Sequence, residues 1–142
     1  MASLVPAQTI AQGIQRIKET FPEDPVTACA IAFGESFPNN GINNNPKTGD
    51  FSVGWFQINL FNPARETKSF DNSLTNPVKK IHWDKAQGKT LGEKVAWLQI
   101  PENNLKVARI IFEGSNPKNA SFNPWGAYRN SSFNRHIERC KQ

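Results

Sequence analysis

The chain has 142 residues, 37% of them hydrophobic, a formal net charge of +5 and two cysteines. That length fits one domain, 1–142, around a single core, and no run of about 18 apolar residues suggests a membrane span. The basic residues are scattered, with Lys79–Lys80 the one adjacent pair, which argues against a nucleic-acid-binding stripe and leaves an anionic polymer such as a bacterial wall as a partner that the charge would suit.

The opening stretch, MASLVPAQTIAQGIQRIKETF, lacks a basic segment followed by an apolar one. It reads as an amphipathic helix and not as a signal peptide. Ile10, Ile14, Ile17 and Phe21 place that helix at roughly 7–20. Asp24 is a candidate N-cap with Pro25 at the first helical position. The helix they open has Val26, Cys29, Ala30 and Phe33 on its core face and runs out at 34–36. From Asn39 to Asp50 the residues are those of turns. FSVGWFQINL, 51–60, then reads as a strand in a small antiparallel hairpin or meander. A polar loop is expected at about 62–75, and TNPVKKIHWDKAQG reads as a capped helix ending near Gly88. Thr90 and Glu93 form a capping box for the next helix. Pro101 and Gly114 frame another, with Leu105, Ala108, Ile111 and Phe112 inward. A loop rich in Asn, Pro and Ser leads to NPWGAYRN, and Phe133, Ile137 and Cys140 mark a last helix. The fold class is α+β, mostly helical, with a small antiparallel β-sheet inserted after the second helix.

Cys29 and Cys140 each lie on an apolar face. Buried free thiols are the simpler reading, with a bridge between the chain ends as the alternative. No clustered His/Cys spacing supports zinc, and no metal or cofactor is expected. His82 and His136 read as surface residues.

Glu35 stands out. It ends an apolar helix, where a carboxylate is misplaced as a stabiliser of the helix dipole. Burial against Phe33 and Phe37 would raise its pKa, which suits a proton donor at a glycosidic oxygen. A solvent-exposed glutamate at a helix end is the plain alternative. Three blocks follow in order: Glu35–Ser36, then an Asn/Gly turn and Gly54-Trp55-Phe56-Gln57-Ile58-Asn59, then Pro124-Trp125-Gly126-Ala127-Tyr128-Arg129-Asn130 after a long helix. Together they resemble the lysozyme-like superfamily, which includes chicken-type and goose-type lysozymes and lytic transglycosylases. The resemblance covers about residues 24–130.

The resemblance implies a lysozyme-like fold that cleaves the MurNAc–GlcNAc bond of bacterial peptidoglycan with Glu35 as general acid. Ser36 would tie the helix end to the sheet. Gln57 and Asn59 would face the sugar, Trp125 would wall the acid, and Tyr128 would lie near it, with core packing as its alternative. Asn103 and Asn104 begin the long helix where transglycosylases often carry a cleft asparagine; N-capping is the other reading. Trp55 reads equally as a sugar platform or as a buried ring.

Chicken-type lysozymes carry an aspartate where this chain has Ser52. The nearest acid is Asp50, on the same strand face but displaced by roughly 7 Å. Asp50 is therefore the candidate second carboxylate, with Ser52 beside it in the sugar cleft; an ordinary turn aspartate is the alternative. The expected reaction is lytic transglycosylation or inverting hydrolysis. The implied setting is the bacterial cell wall, reached from outside, from the periplasm or from a phage particle, by a monomer. The rival is a non-catalytic glycan-binding or virion structural module of the same fold.

Overall fold

The first helix falls where its apolar spacing predicts. In the computed structural model, which describes residues 7–45, 47–61, 72–77, 80–115 and 120–142, α1 spans Ala7–Thr20. Ile17 and Phe21 are fully buried. Helix α2, Pro25–Glu35, starts at Asp24, whose carboxylate accepts a hydrogen bond from the Thr27 N–H at 3.3 Å. Residues Ala28 to Ala32 are all buried, so α2 is a central helix apolar on every side. Ser36 ends it. Its Oγ donates to the Asn39 carbonyl at 2.9 Å, so this serine ties the helix end to the following turn and not to the sheet.

The sheet follows as β1 (Ile42–Asn45), β2 (Asp50–Val53) and β3 (Ile58–Asn59), antiparallel in the order β1-β2-β3. The stretch 51–60, predicted as one strand, is a hairpin. Its turn has Gly54 at φ +79° and Gln57 at φ +46°. The Gln57 N–H donates to the Gly54 carbonyl at 3.0 Å, and its side-chain amide donates to the carbonyls of Gly54 and Gly41. Asn104, fully buried, holds the turn from behind. Its Nδ2 donates to Val53 O at 2.9 Å and Leu98 O at 3.0 Å, and its Oδ1 accepts from the Phe56 N–H at 2.9 Å.

The polar loop expected at 62–75 lies largely outside the described residues. The helix expected before Gly88 is not formed by the residues described there, which carry only a 3₁₀ turn, Trp83–Lys85. It is held from outside: the buried Lys94 ammonium donates to Trp83 O at 2.9 Å and to O of the capping Ala86 at 2.8 Å. Lys94 belongs to α3, Leu91–Leu98, whose capping Thr90 accepts from the Glu93 N–H at 3.1 Å. Helix α4 spans Pro101–Gly114, with Leu105, Ala108, Ile111 and Phe112 buried as expected. Arg109 on α4 forks onto the Glu23 carboxylate at 2.7 and 2.6 Å, tying α4 to the α1–α2 corner.

The chain closes with α5 (Gly126–Arg129), a 3₁₀ turn (Ser132–His136) and α6 (Ile137–Cys140). Cys140 is bonded to Cys29 of α2, with Cα atoms 5.9 Å apart, so the pair is a bridge and not two buried thiols. Phe21 gathers the core, with Phe56, Phe112 and Phe122 within 5.3–5.5 Å ring to ring. The fold is α+β and mostly helical, with its sheet inserted after the second helix. No helix among the described residues is long and apolar enough to cross a membrane.

Candidate active site

Glu35 is the last residue of α2 and is half-buried. Its Oε2 accepts a hydrogen bond from the Ala127 N–H at 3.0 Å. Burial pushes its pKa up. The Ala127 N–H and the Arg129 guanidinium pull it back, and the Asp50 carboxylate adds to the rise; burial is the largest of the four effects, and the net shift is upward. With Oε2 held by a backbone donor, Oε1 is the oxygen left to carry a proton.

Glu35 opens into a cavity of about 230 Å³. Asn43, Asp50, Ser52, Gln57 and Asn59 of the sheet side line it, opposite Pro124, Trp125, Gly126 and Arg129. A second cavity, about 440 Å³, shares Asp50, Gln57, Asn59, Pro124, Trp125 and Arg129 and continues along Ile58, Ile81, His82 and Ile111. The two form one cleft, polar near Glu35 and more apolar beyond. Register explains the polar wall. Asn43 pairs with Ser52 and Ser52 with Asn59 across the three strands, while Phe51 and Val53 alternate into the core.

Asp50 shares that wall with Ser52. Its Oδ2 accepts from Thr48 Oγ1 and its Oδ1 from Asn59 Nδ2, each at 2.9 Å. Asn59 Oδ1 accepts from the N–H groups of Phe51 and Phe61, both at 3.1 Å. Asn59 therefore borders the cleft and fixes Asp50 at once. Gln57 borders it too, from a turn and not a strand, with its Nε2 spent on backbone carbonyls. Trp125 is buried beside the acid, and its Nε1 donates to Phe56 O at 2.9 Å.

Several residues expected at the cleft lie elsewhere. Asn104 is 0% exposed and its amide is committed to three backbone groups. Asn103 donates to Trp97 O at 3.0 Å, so both asparagines close the end of α3. Tyr128 packs between Phe122 and Phe133, at 5.9 and 5.3 Å, and does not line the cleft. Trp55 is no platform either: it is 6% exposed and meets Phe37 edge-on at 4.7 Å.

Three cleft residues escaped the sequence. Asn43 follows from the β1–β2 register, which composition alone did not give. Arg129 stands four residues after Trp125, one helical turn on. His82 is half-buried in the cleft wall and not a surface residue; burial first, then Lys85, pushes its pKa down to about 4, so it presents a neutral imidazole at neutral pH.

A larger trough of about 790 Å³ runs between α1 and α4. Its arginines are neutralised: Arg16 meets Glu102 at 2.9 Å and Arg109 meets Glu23 at 2.6 Å. No group of three potential metal ligands stands together among the described residues. Compared against protein-family models, curated proteins and solved structures, the chain matches none.

Proposed function

We propose that this chain cleaves the glycosidic bond between MurNAc and GlcNAc in bacterial peptidoglycan, with Glu35 as general acid. The observation that carries the reading is Glu35 itself: a carboxyl whose pKa is raised by burial, at the end of a core helix, opening into a cleft with a polar sheet wall. The resemblance of its three sequence blocks to the lysozyme-like superfamily supports the same reading.

In this mechanism the Glu35 Oε1 proton passes to the glycosidic oxygen as the bond to the anomeric carbon breaks. The sugar cation is then captured in one of two ways. Its own hydroxyl attacks, returning a proton to Glu35 and leaving an anhydro end; or water attacks, with Asp50 as base. The Thr48 and Asn59 hydrogen bonds hold the Asp50 carboxylate on the cleft wall, one to each oxygen, which leaves each oxygen one further acceptor position. We favour the first route, because both bonds also suit an aspartate with a purely structural role in the turn. The positive charge suits an anionic wall, and the Cys29–Cys140 bridge suits an oxidising setting such as the wall space or a phage particle.

The test is clearance of a wall suspension followed by mass analysis of the fragments. Glu35→Gln is expected to lose about 10²–10⁴ in rate while keeping the fold. Asp50→Asn is expected to lose under about tenfold, with products one water lighter than hydrolysed ends. A Glu35→Gln protein clearing walls above about a tenth of the parent rate would sink the assignment. If the parent binds walls without cutting them, the non-catalytic glycan-binding module takes its place.

A further inference from the structure

Among the described residues that line the cleft, Arg129 is the one with a permanent positive charge. It lines both the polar part beside Glu35 and the apolar part beyond. Arg16 and Arg109 each carry a glutamate partner. By contrast, no carboxylate among the described residues forms an ion pair with Arg129. The residue is exposed, but its guanidinium is anchored at one point. Nη1 donates to the Asn123 carbonyl at 2.6 Å, and Nη2 lies 3.8 Å from where a β-carbon on Gly126 would stand. The guanidinium is thus folded back over the start of α5, the segment whose Ala127 N–H holds Glu35. An anchored guanidinium with unspent donors is a ready partner for a planar anion, because its fork matches a carboxylate in shape and charge.

We propose that Arg129 is a specificity-determining residue of the cleft, pairing with a carboxylate carried by the glycan next to the bond that Glu35 protonates, so that acidic strands are preferred over neutral ones. This rests on the glycan-cleaving reading of the cleft. Peptidoglycan offers that carboxylate from two sources. Where the peptide is absent, the lactyl ether of muramic acid ends in a free carboxylate. Where the peptide is attached, that carboxyl is an amide, and the negative groups sit on the peptide.

The experiment measures kcat/KM of the full chain and of Arg129→Gln on three substrates: peptide-free glycan strands, peptide-bearing strands, and a chitin oligosaccharide, which has no carboxylate. Arg129 also acts on the Glu35 proton, but that effect is common to all three substrates and cancels in their ratios. The acidic-to-neutral ratio is expected to fall about 10–100-fold in Arg129→Gln, the scale of a charged hydrogen-bonded pair. A fall confined to peptide-free strands places the carboxylate on the sugar, and one confined to peptide-bearing strands places it on the peptide. A ratio that changes less than about twofold on both overturns the proposal. The same three ligands are titrated calorimetrically into Glu35→Gln with and without Arg129→Gln. If no substrate is cut, the proposed reaction fails, and the binding ratio still decides whether Arg129 reads a carboxylate.

Discussion

At Glu35 the proposed function and stability pull apart. A carboxyl whose pKa is raised by burial binds its proton more tightly in the fold than in the unfolded chain. Its contribution to stability is therefore present below the ordinary carboxylate range and is lost as pH rises through the raised folded value. Above that raised value the ionised form is held in a half-dry site and works against the fold. Glu35→Gln removes that charge, keeps the shape and keeps an oxygen to accept from the Ala127 N–H. The variant is expected to melt at a higher temperature than the parent on the alkaline side of that raised value, with the difference shrinking toward about pH 3–4, where the parent carboxyl is protonated as well. Thermal unfolding across that range measures it. A lower melting temperature on the alkaline side would mean that the carboxylate is solvated or paired, and with it the case for a poised acid would fall.

The same tension is absent from the hairpin turn, where every feature serves geometry. Gly54 sits at φ +79°, and a β-carbon there would run into the Asn104 amide and the Leu98 carbonyl. Gly54→Ala should cost about 2–5 kcal/mol, combining left-handed backbone strain with loss of buried hydrogen bonds. Gly41→Ala, at a glycine with open space around it, should stay within about 0.5 kcal/mol. Denaturant midpoints of the two variants make the comparison, and equal losses would refute the account of the turn. This element also shows where sequence reading stops. Helix starts were legible because their signals are local: Asp24 with Pro25, Thr90 with Glu93, Pro101. The polar wall was half-legible, since period-two alternation puts Asp50 and Ser52 on one face. The turn was not, because Trp55, Phe56 and a glutamine at positive φ look like strand, and the asparagine that holds them is 48 residues from Phe56. The 3₁₀ turn at Trp83–Lys85 misled for the same reason, since Lys94 from α3 holds its first carbonyl and that of its cap, Ala86. Asn104 and Tyr128 were assigned to the sugar because their motif places them near it, whereas packing turns both away.

Over the whole molecule, the closing segment packs along α2 and is tied to it near both ends of that contact. Its Ala127 N–H meets Glu35, and its Cys140 is bonded to Cys29. Between them the α2 surface is close-packed: a β-carbon on Gly34 would collide with Ala127 and meet Ser132 and Phe133. The bridge spans 111 residues, so in the chain-entropy picture it removes much of the freedom of the unfolded chain, worth about 4–5 kcal/mol. Because that term acts on the unfolded state, the native cleft does not depend on it. The prediction for Cys29→Ala with Cys140→Ala is thus a pair of results. Urea unfolding should show a lower midpoint together with a larger dependence on denaturant, since an unbridged chain exposes more surface when it unfolds. Wall clearance well below the melting range should stay within about threefold of the parent, a change in barrier of under about 1 kcal/mol, because packing and not the sulfurs seats Ala127 against Glu35. A lower midpoint with an unchanged denaturant dependence would place the loss in the native state instead. If clearance collapsed as well, the bridge would be part of what holds the acid in place.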